Sequence, residues 1–195
     1  MRKLFGSCPC LPLTGLFLAG LLLGMWLQAP SSGSVAARAG PAETGPGHEE
    51  RLRKLNLELP PVTKPTNTLV NAVRVGDLLF VSGTGPDKGV IGRLGQDLDV
   101  EKGRAVARQV GLHILSVVKT ELGSLDKVQR LVRTFGMVNA TPDFKQHPQV
   151  INGFSDLMVE VFGEEAGKGA RCAVGMGSLP NGIPVEIEAI FQVRK

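Results

Sequence analysis

Two stretches of the chain carry apolar residues at the spacing of an amphipathic helix. The first is Val100–Leu122, and Gly123 is placed to end it. The second opens at Pro148, a position where a missing N–H costs nothing, and closes at Gly163. The buried faces are formed by Val106, Val110, Ile114, Val117 and Val118 in the first helix, and by Val150, Ile151, Phe154, Leu157, Met158, Val161 and Phe162 in the second.

Five shorter stretches are apolar and β-branched or alternate with a period of two, which predicts strands. They cover residues 69–75, 78–82, 127–138, 171–177 and 184–193. Gly76 and Asp77 split the first two as a hairpin. The order β-β-α-β-α-β-β predicts an α+β domain with a mixed sheet and two helices on one face. The other face then needs a cover, and a neighbouring subunit is the natural one.

The first residues predict a targeting segment. Arg2 and Lys3 precede an uncharged apolar stretch, residues 11–27, and small residues follow at cleavage spacing. We therefore expect residues 1–29 to be a signal peptide or an N-terminal membrane anchor, and the protein to be exported to the periplasm or secreted. If Met25 is the true start, this signal disappears and the protein is cytoplasmic.

The next segment is low in bulky apolar residues. Residues 30–49 are rich in Pro, Gly and Ser, which predicts a disordered linker. The globular domain is expected over residues 50–195, a length sufficient for one hydrophobic core.

Charge and aromatic content argue against nucleic-acid binding. The formal net charge is +4, from 22 basic and 18 acidic residues. Residues 1–42 hold three basic residues and no acidic one, so the rest of the chain has 19 against 18. The chain contains no Tyr, and its single Trp lies in the leader. A nucleic-acid-binding surface would show clustered Lys and Arg with stacking aromatic residues, so no such partner is expected.

Cysteines and histidines do not suggest a metal site. Cys8 and Cys10 lie in the leader, which leaves Cys172 as the single cysteine of the body. That residue is expected to be small and buried. His113 and His147 are widely separated and lack paired cysteines, so no metal is predicted.

The closing segment, residues 169–193, contains an arginine that needs a partner. Arg171 lies among small and apolar residues at the start of a predicted strand. A guanidinium is almost never buried without a carboxylate. Glu186 and Glu188 lie on one face of the last strand and are candidates, and a ligand is the other. The residues themselves leave this choice open.

Several short pieces occur in a characteristic order: LLFVSG at residues 78–83, VNA at 138–140, Ala170-Arg171, Leu179-Pro180, and VEIEAI at 185–190. Together they resemble the Rid family, the reactive intermediate deaminases also called YjgF or L-PSP proteins. The similarity covers about residues 56–195.

The resemblance implies a chorismate-mutase-like fold, a homotrimer, and a ligand cleft between adjacent subunits. It also implies hydrolysis of enamines and imines such as 2-aminoacrylate to 2-oxo acids and ammonia, without a cofactor. By similarity, Arg171 would bind the substrate carboxylate, Glu186 would lie near the attacking water, and Asn139 and Gly83 would line the cleft.

Two features depart from the family pattern. The cleft tyrosine of the family falls near Leu69, and the segment between Asn139 and Arg171 is longer than in compact members. These departures keep a second hypothesis open, a non-catalytic trimer that binds small carboxylates. An endoribonuclease, the function in the family's older name, ranks third because the body lacks basic patches.

Overall fold

The computed structural model describes residues 47–65 and 68–195. The predicted order of two strands, helix, strand, helix and two strands is confirmed, and two short α-helices are added, with two 3-10 turns at Leu125–Lys127 and Pro180–Gly182. The helices are α1 (His48–Lys54), α2 (Val100–Leu122), α3 (His147–Phe162) and α4 (Glu164–Gly167). The strands are β1 (Ala72–Val75), β2 (Leu78–Thr84), β3 (Val128–Asn139), β4 (Ala170–Met176) and β5 (Val185–Val193).

The five strands form one sheet in the order β1-β2-β5-β3-β4. The pairs β1–β2, β2–β5 and β3–β5 are antiparallel, and β3–β4 is parallel. The parallel pair requires a crossover, and α3 with α4 supplies it between β3 and β4. The sheet is therefore mixed, as predicted, and β4 lies at one edge.

Local signals set the ends of the two long helices. Asp99 caps α2 by accepting a hydrogen bond from the Lys102 backbone N–H at 2.8 Å. Gly123 ends the helix in the left-handed conformation, with φ of 79°. Pro148 lies in the first turn of α3. The predicted bounds of α2 are confirmed to the residue.

Both long helices pack on the same face of the sheet. Their apolar sides meet alternate residues of the central strands, including Val138, Ile187 and Phe191, which are fully buried. At Gly136 the helix α3 comes so close that a Cβ would lie 2.6 Å from the Ile151 side chain. The helix-facing side of the sheet is thus the hydrophobic core of the domain.

The opposite side of the sheet, called the open face below, has no helix of the described residues packed on it. Register places these residues on it: Val73, Phe80, Phe135, Met137, Cys172, Glu186 and Glu188. Val73 and Phe80 are 49% and 40% exposed. The expectation of a buried Cys172 is wrong, because this side chain lies on the open face of an edge strand and is exposed.

The N-terminal helix α1 begins at His48, inside the segment predicted to be a linker. Glu49 fastens it by accepting hydrogen bonds from Lys119 Nζ at 2.7 Å and the Leu125 backbone N–H at 2.9 Å. The predicted leader and the rest of the predicted linker lie outside the described residues. Within the described part of the chain, no helix is both long and apolar enough to cross a bilayer.

Candidate functional site

Arg171 lies on β4 and points to the helix-facing side of the sheet. Its register partner on β3 is Thr134, which is 1% exposed because it is buried between the sheet and the helices. The Arg171 Nη1 donates hydrogen bonds to Asn152 Oδ1 at 2.8 Å and Ser155 Oγ at 3.0 Å. These two α3 residues are one helical turn apart and so present adjacent side chains. The guanidinium is therefore held by neutral groups.

No carboxylate in the described residues pairs with Arg171, which excludes the internal ion pair considered from sequence. The residue is exposed, so the expectation of a buried arginine is wrong and solvent can satisfy the rest of its guanidinium. Arg171 is opposite Thr134 on β3, whereas Glu186 is opposite Met137. Those β3 positions are three residues apart, so the two side chains lie on opposite faces. Their strands are also separated by β3, a distance of about 10 Å between strand axes. Within one subunit, Arg171 and Glu186 do not meet.

A cavity of about 170 Å³ lies beside Arg171, and we call it the arginine pocket. Two cationic residues, two hydroxyl residues, two apolar residues and two glycines line it. They are Arg171, Lys168, Thr134, Ser155, Leu131, Val159, Gly167 and Gly169. Such a lining, with few polar groups placed on an apolar base, suits a small anion that carries some apolar surface.

Glu186 and Gly83 form a second cluster on the other side of the sheet. A Cβ at position 83 would collide with Glu186 Oε1 in its present position, so the absence of a side chain at Gly83 lets this carboxylate lie against β2. A register irregularity in β2, between Val81 and Thr84, accompanies this close approach. Burial, and secondly the nearby charge of Glu188, raises the pKa of Glu186. A half-buried carboxyl with a raised pKa is suited to exchange a proton.

Asn139 does not contact Arg171. Its side chain instead links the end of β3 to two neighbouring loops. Its Nδ2 donates to the Gly92 and Ile183 carbonyl oxygens, both at 3.4 Å. The asparagine that meets the arginine is Asn152, which reasoning from the sequence missed. The available signal was its polar character on α3, one turn before Ser155.

The glycine-rich connection between β2 and α2 contacts the rest of the domain near both of its ends. Asp87 accepts a hydrogen bond from Gln109 and lies 3.0 Å from His113 Nε2. Further along, Gly92 accepts from Asn139. In the described part of the chain, no three His, Cys, Asp or Glu side chains come together as metal ligands.

Known proteins match this fold and most of the chain. A family model described as "YjgF/chorismate mutase-like, putative endoribonuclease" matches residues 49–182. The protein TCP17 of Trypanosoma cruzi is 41% identical over 146 residues, which cover 73% of this chain and 91% of that protein. The chain belongs to the YjgF family. Arg171, Asn152 and Gly83 fall inside the matched range, and Glu186 lies just beyond it.

Solved structures agree with membership in the YjgF family. A protein of unknown function from Agrobacterium tumefaciens is 38% identical, with a TM-score of 0.69 over 75% of this chain and 92% of its own. A Shewanella oneidensis protein described as a putative endoribonuclease is 28% identical, with a TM-score of 0.72 over 76% of this chain and 100% of its own. The chorismate-mutase-like fold expected from the sequence is thus confirmed.

Proposed function

We propose that this YjgF-family protein hydrolyses 2-imino acids and their enamine tautomers, such as 2-aminoacrylate, to 2-oxo acids and ammonia. The proposal rests on the hydrogen bonding and the uncompensated charge of Arg171. Its guanidinium is oriented by Asn152 and Ser155 and has no carboxylate partner among the described residues. An oriented guanidinium of this kind is a receptor for the carboxylate of a ligand.

Glu186 supplies the proton chemistry in this proposal. Arg171 fixes the substrate carboxylate, and water adds to the electrophilic carbon of the protonated imine while Glu186 accepts a proton from that water. The proton then passes to the nitrogen of the carbinolamine, and the C–N bond breaks to release ammonia. Glu186 accepts the hydroxyl proton as the C=O bond forms, and this proton leaves with ammonia as ammonium. General acid–base help of this kind contributes about 10²–10⁴-fold in rate. No oxidant, metal or cofactor enters the balance.

The opposite placement of Arg171 and Glu186 favours a site made by two subunits. One copy would supply the arginine pocket, and the open face of its neighbour would supply Glu186 and Gly83. The exposed apolar side chains of Val73 and Phe80 on the open face favour coverage by a second copy. A closed ring of three such contacts gives the homotrimer expected from the resemblance.

Replacement of the arginine tests the proposed activity. Arg171→Ala should lower kcat/KM for enzymatically generated 2-aminoacrylate by about 10²–10³-fold, because two charge-assisted hydrogen bonds to the substrate are lost. Ammonia and 2-oxo acid release above the uncatalysed rate is the measurement. Arg53→Ala, at an exposed position of α1, is the matched control and should keep wild-type turnover. Equal turnover by the wild type and Arg171→Ala would reject the assignment.

A second function, binding of small carboxylates without catalysis, is favoured by one observation. Within a single subunit the arginine pocket contains no acid or base beside Arg171 and Lys168. Binding of 2-oxo acids by a wild-type protein that releases no ammonia would establish this function instead. Cleavage of RNA by the wild type but not by Arg171→Ala would favour the endoribonuclease hypothesis over both.

A further inference from the structure

The connection between β2 and α2 contains a loop, residues 85–91, that we call the tethered loop. We propose that Asp87, near the tip of this loop, is a positioning residue for Glu186: by its contact with α2 it holds the chain after β2 where Gly83 lies against the Glu186 carboxyl. The inference rests on the proposed function for the role of Glu186 as the base.

Both ends of the tethered loop lie against the turn that precedes β5. A Cβ at Gly85 would lie 2.8 Å from Ile183 Cδ1. At the other end, the Gly92 backbone N–H donates a hydrogen bond to the Gly182 carbonyl oxygen at 3.0 Å. A compact surface loop whose ends meet in this way is an Ω-loop, a class that frequently carries function. Because Glu186 follows closely on this turn, the loop ends and the carboxyl share one short segment of chain.

Among the described residues, Asp87 is the only member of the tethered loop with a side-chain hydrogen bond or ion pair to the rest of the domain. Its Oδ2 accepts from Gln109 Nε2, and its Oδ1 lies 3.0 Å from the buried His113 Nε2. Gln109 and His113 are one helical turn apart on α2, so both can face one carboxylate. Neither Val90 nor Ile91 packs on the described hydrophobic core, and Ile91 is 65% exposed. The contact of Asp87 with α2 is therefore the tether of the loop.

The strand before the loop does not fix Gly83 by itself. The register of β2 with β5 is regular up to Val81, opposite Ala189, and resumes at Thr84, opposite Ile187. Gly83 lies within this irregularity, where the ladder of backbone hydrogen bonds is disrupted. Its position is therefore set from the loop side as well as from the strand.

Loss of the tether should change the surroundings of the Glu186 carboxyl. Gly83 on β2 lies against this carboxyl, Met137 on β3 is its register partner, and Glu188 on β5 is the charged group that acts on it. Burial is the larger cause of the raised pKa of Glu186. If the loop moves away and takes Gly83 with it, water reaches the carboxyl, and its pKa should fall toward 4.5, its ordinary value.

The tether is of moderate strength, as a movable loop requires. The Asp87 side chain is 57% exposed, so solvent screens its charge. However, both of its oxygens face nitrogen atoms of α2, and the His113 side chain is only 21% exposed. Loss of Asp87 should therefore raise the population of the open loop about fivefold and leave the domain folded.

Trypsin cleavage after Lys88 measures the opening of the loop. Lys88 is exposed, and cleavage of a transiently opened segment follows its population when reclosing is fast. Asp87→Ala should raise the cleavage rate about fivefold. Gln109→Ala should raise it less, and the double variant should match Asp87→Ala alone, because both changes break the same contact. Glu121→Ala, an exposed acid near the other end of α2, is the control and should be cleaved as wild type.

Titration of the Glu186 carboxyl by carbon-13 NMR tests the positioning role, with Glu186→Gln to assign the signal. In Asp87→Ala the titration should move to lower pH. Gln109→Ala changes no charge and should move it in the same direction, whereas Asp87→Asn keeps an acceptor for Gln109 and should lie between Asp87→Ala and wild type. A titration that stays in place while cleavage rises would overturn the inference, as would unchanged cleavage in Asp87→Ala.

Neither measurement uses turnover, so the outcomes separate this inference from the proposed function. If the Glu186 titration moves in Asp87→Ala but the wild type releases no ammonia from 2-aminoacrylate, the positioning role stands and the hydrolase fails. If Arg171→Ala loses turnover while the titration does not move in Asp87→Ala, the hydrolase stands and the positioning role is overturned.

Discussion

The pKa of the Glu186 carboxyl is set by the residues around it. The carboxyl is half-buried against Gly83, and burial and the charge of Glu188 both raise its pKa. A raised pKa in the folded state means that ionisation of Glu186 costs folding free energy. The protonated Glu186 therefore stabilises the fold at low pH, relative to its ionised form. This stabilisation is lost as the pH rises through the folded-state pKa. Such a cost is common for groups placed to move protons.

The charge of Glu188 leads to a prediction about the pH profile. Glu188→Gln removes the repulsion and should lower the pKa of Glu186 toward 4.5, its ordinary value. A base acts in its ionised form, so the acid limb of the kcat/KM profile should move to lower pH. Glu121→Gln, exposed on α2, should leave the limb in place. An acid limb that stays fixed or moves upward in Glu188→Gln would exclude Glu186 as the base.

At the scale of elements, the close approach of α2 and α3 depends on glycine. A Cβ at Gly153 of α3 would collide with the backbone carbonyl oxygen of Arg104 on α2, which cannot move alone. A Cβ at Gly111 of α2 would meet side-chain atoms and no backbone, the nearest being Leu157 Cδ2 at 2.8 Å and Phe154 Cδ2 at 3.2 Å. Gly153 therefore permits a direct contact between the helix backbones, whereas Gly111 permits only closer packing of side chains.

These positions make a matched pair of variants. Gly153→Ala should lower the free energy of unfolding by about 1–3 kcal/mol, because the helices must separate. Gly111→Ala should change it by less than about 1 kcal/mol, since the better helix propensity of Ala offsets the local repacking. Urea denaturation followed by circular dichroism measures both. Equal stability of the two variants would contradict a close contact between Gly153 and the backbone of α2.

Helices and strands were predictable because each carries its own periodicity, as in α2, where the apolar spacing and Gly123 set the bounds. Helix α1 was not, because its seven residues include one buried residue, Leu52, and Glu49 holds it through contacts distant in sequence. The strand pattern correctly predicted that the side chains of Arg171 and Cys172 point to opposite faces of the sheet. It wrongly predicted that Cys172 is in the core. An alternation cannot tell which face the helices cover.

At the scale of the whole molecule, the candidate site was predictable in part. Arg171, Glu186 and Gly83 were found from sequence, and their roles stay proposals. Asn139 was placed in the cleft by similarity, whereas the residue that contacts the arginine is Asn152. The polar residues Asn152 and Ser155 on α3 were visible in the sequence, but their contact with a strand that follows the helix could not be read from local spacing. The opposite placement of Arg171 and Glu186 likewise follows only from the register of β3 with β4 and β5.

That placement makes subunit complementation the most direct test of a shared site. Arg171→Ala and Glu186→Gln are each expected to be nearly inactive alone. When they are unfolded together in equal amounts and refolded, random assortment in a ring should restore about one quarter of the wild-type turnover of 2-aminoacrylate, because a site needs one intact arginine pocket and one intact neighbour. Sedimentation of the refolded mixture should give the mass of a trimer. Turnover in the mixture no greater than the sum of the two separate variants would contradict a site built from Arg171 of one subunit and Glu186 of the next.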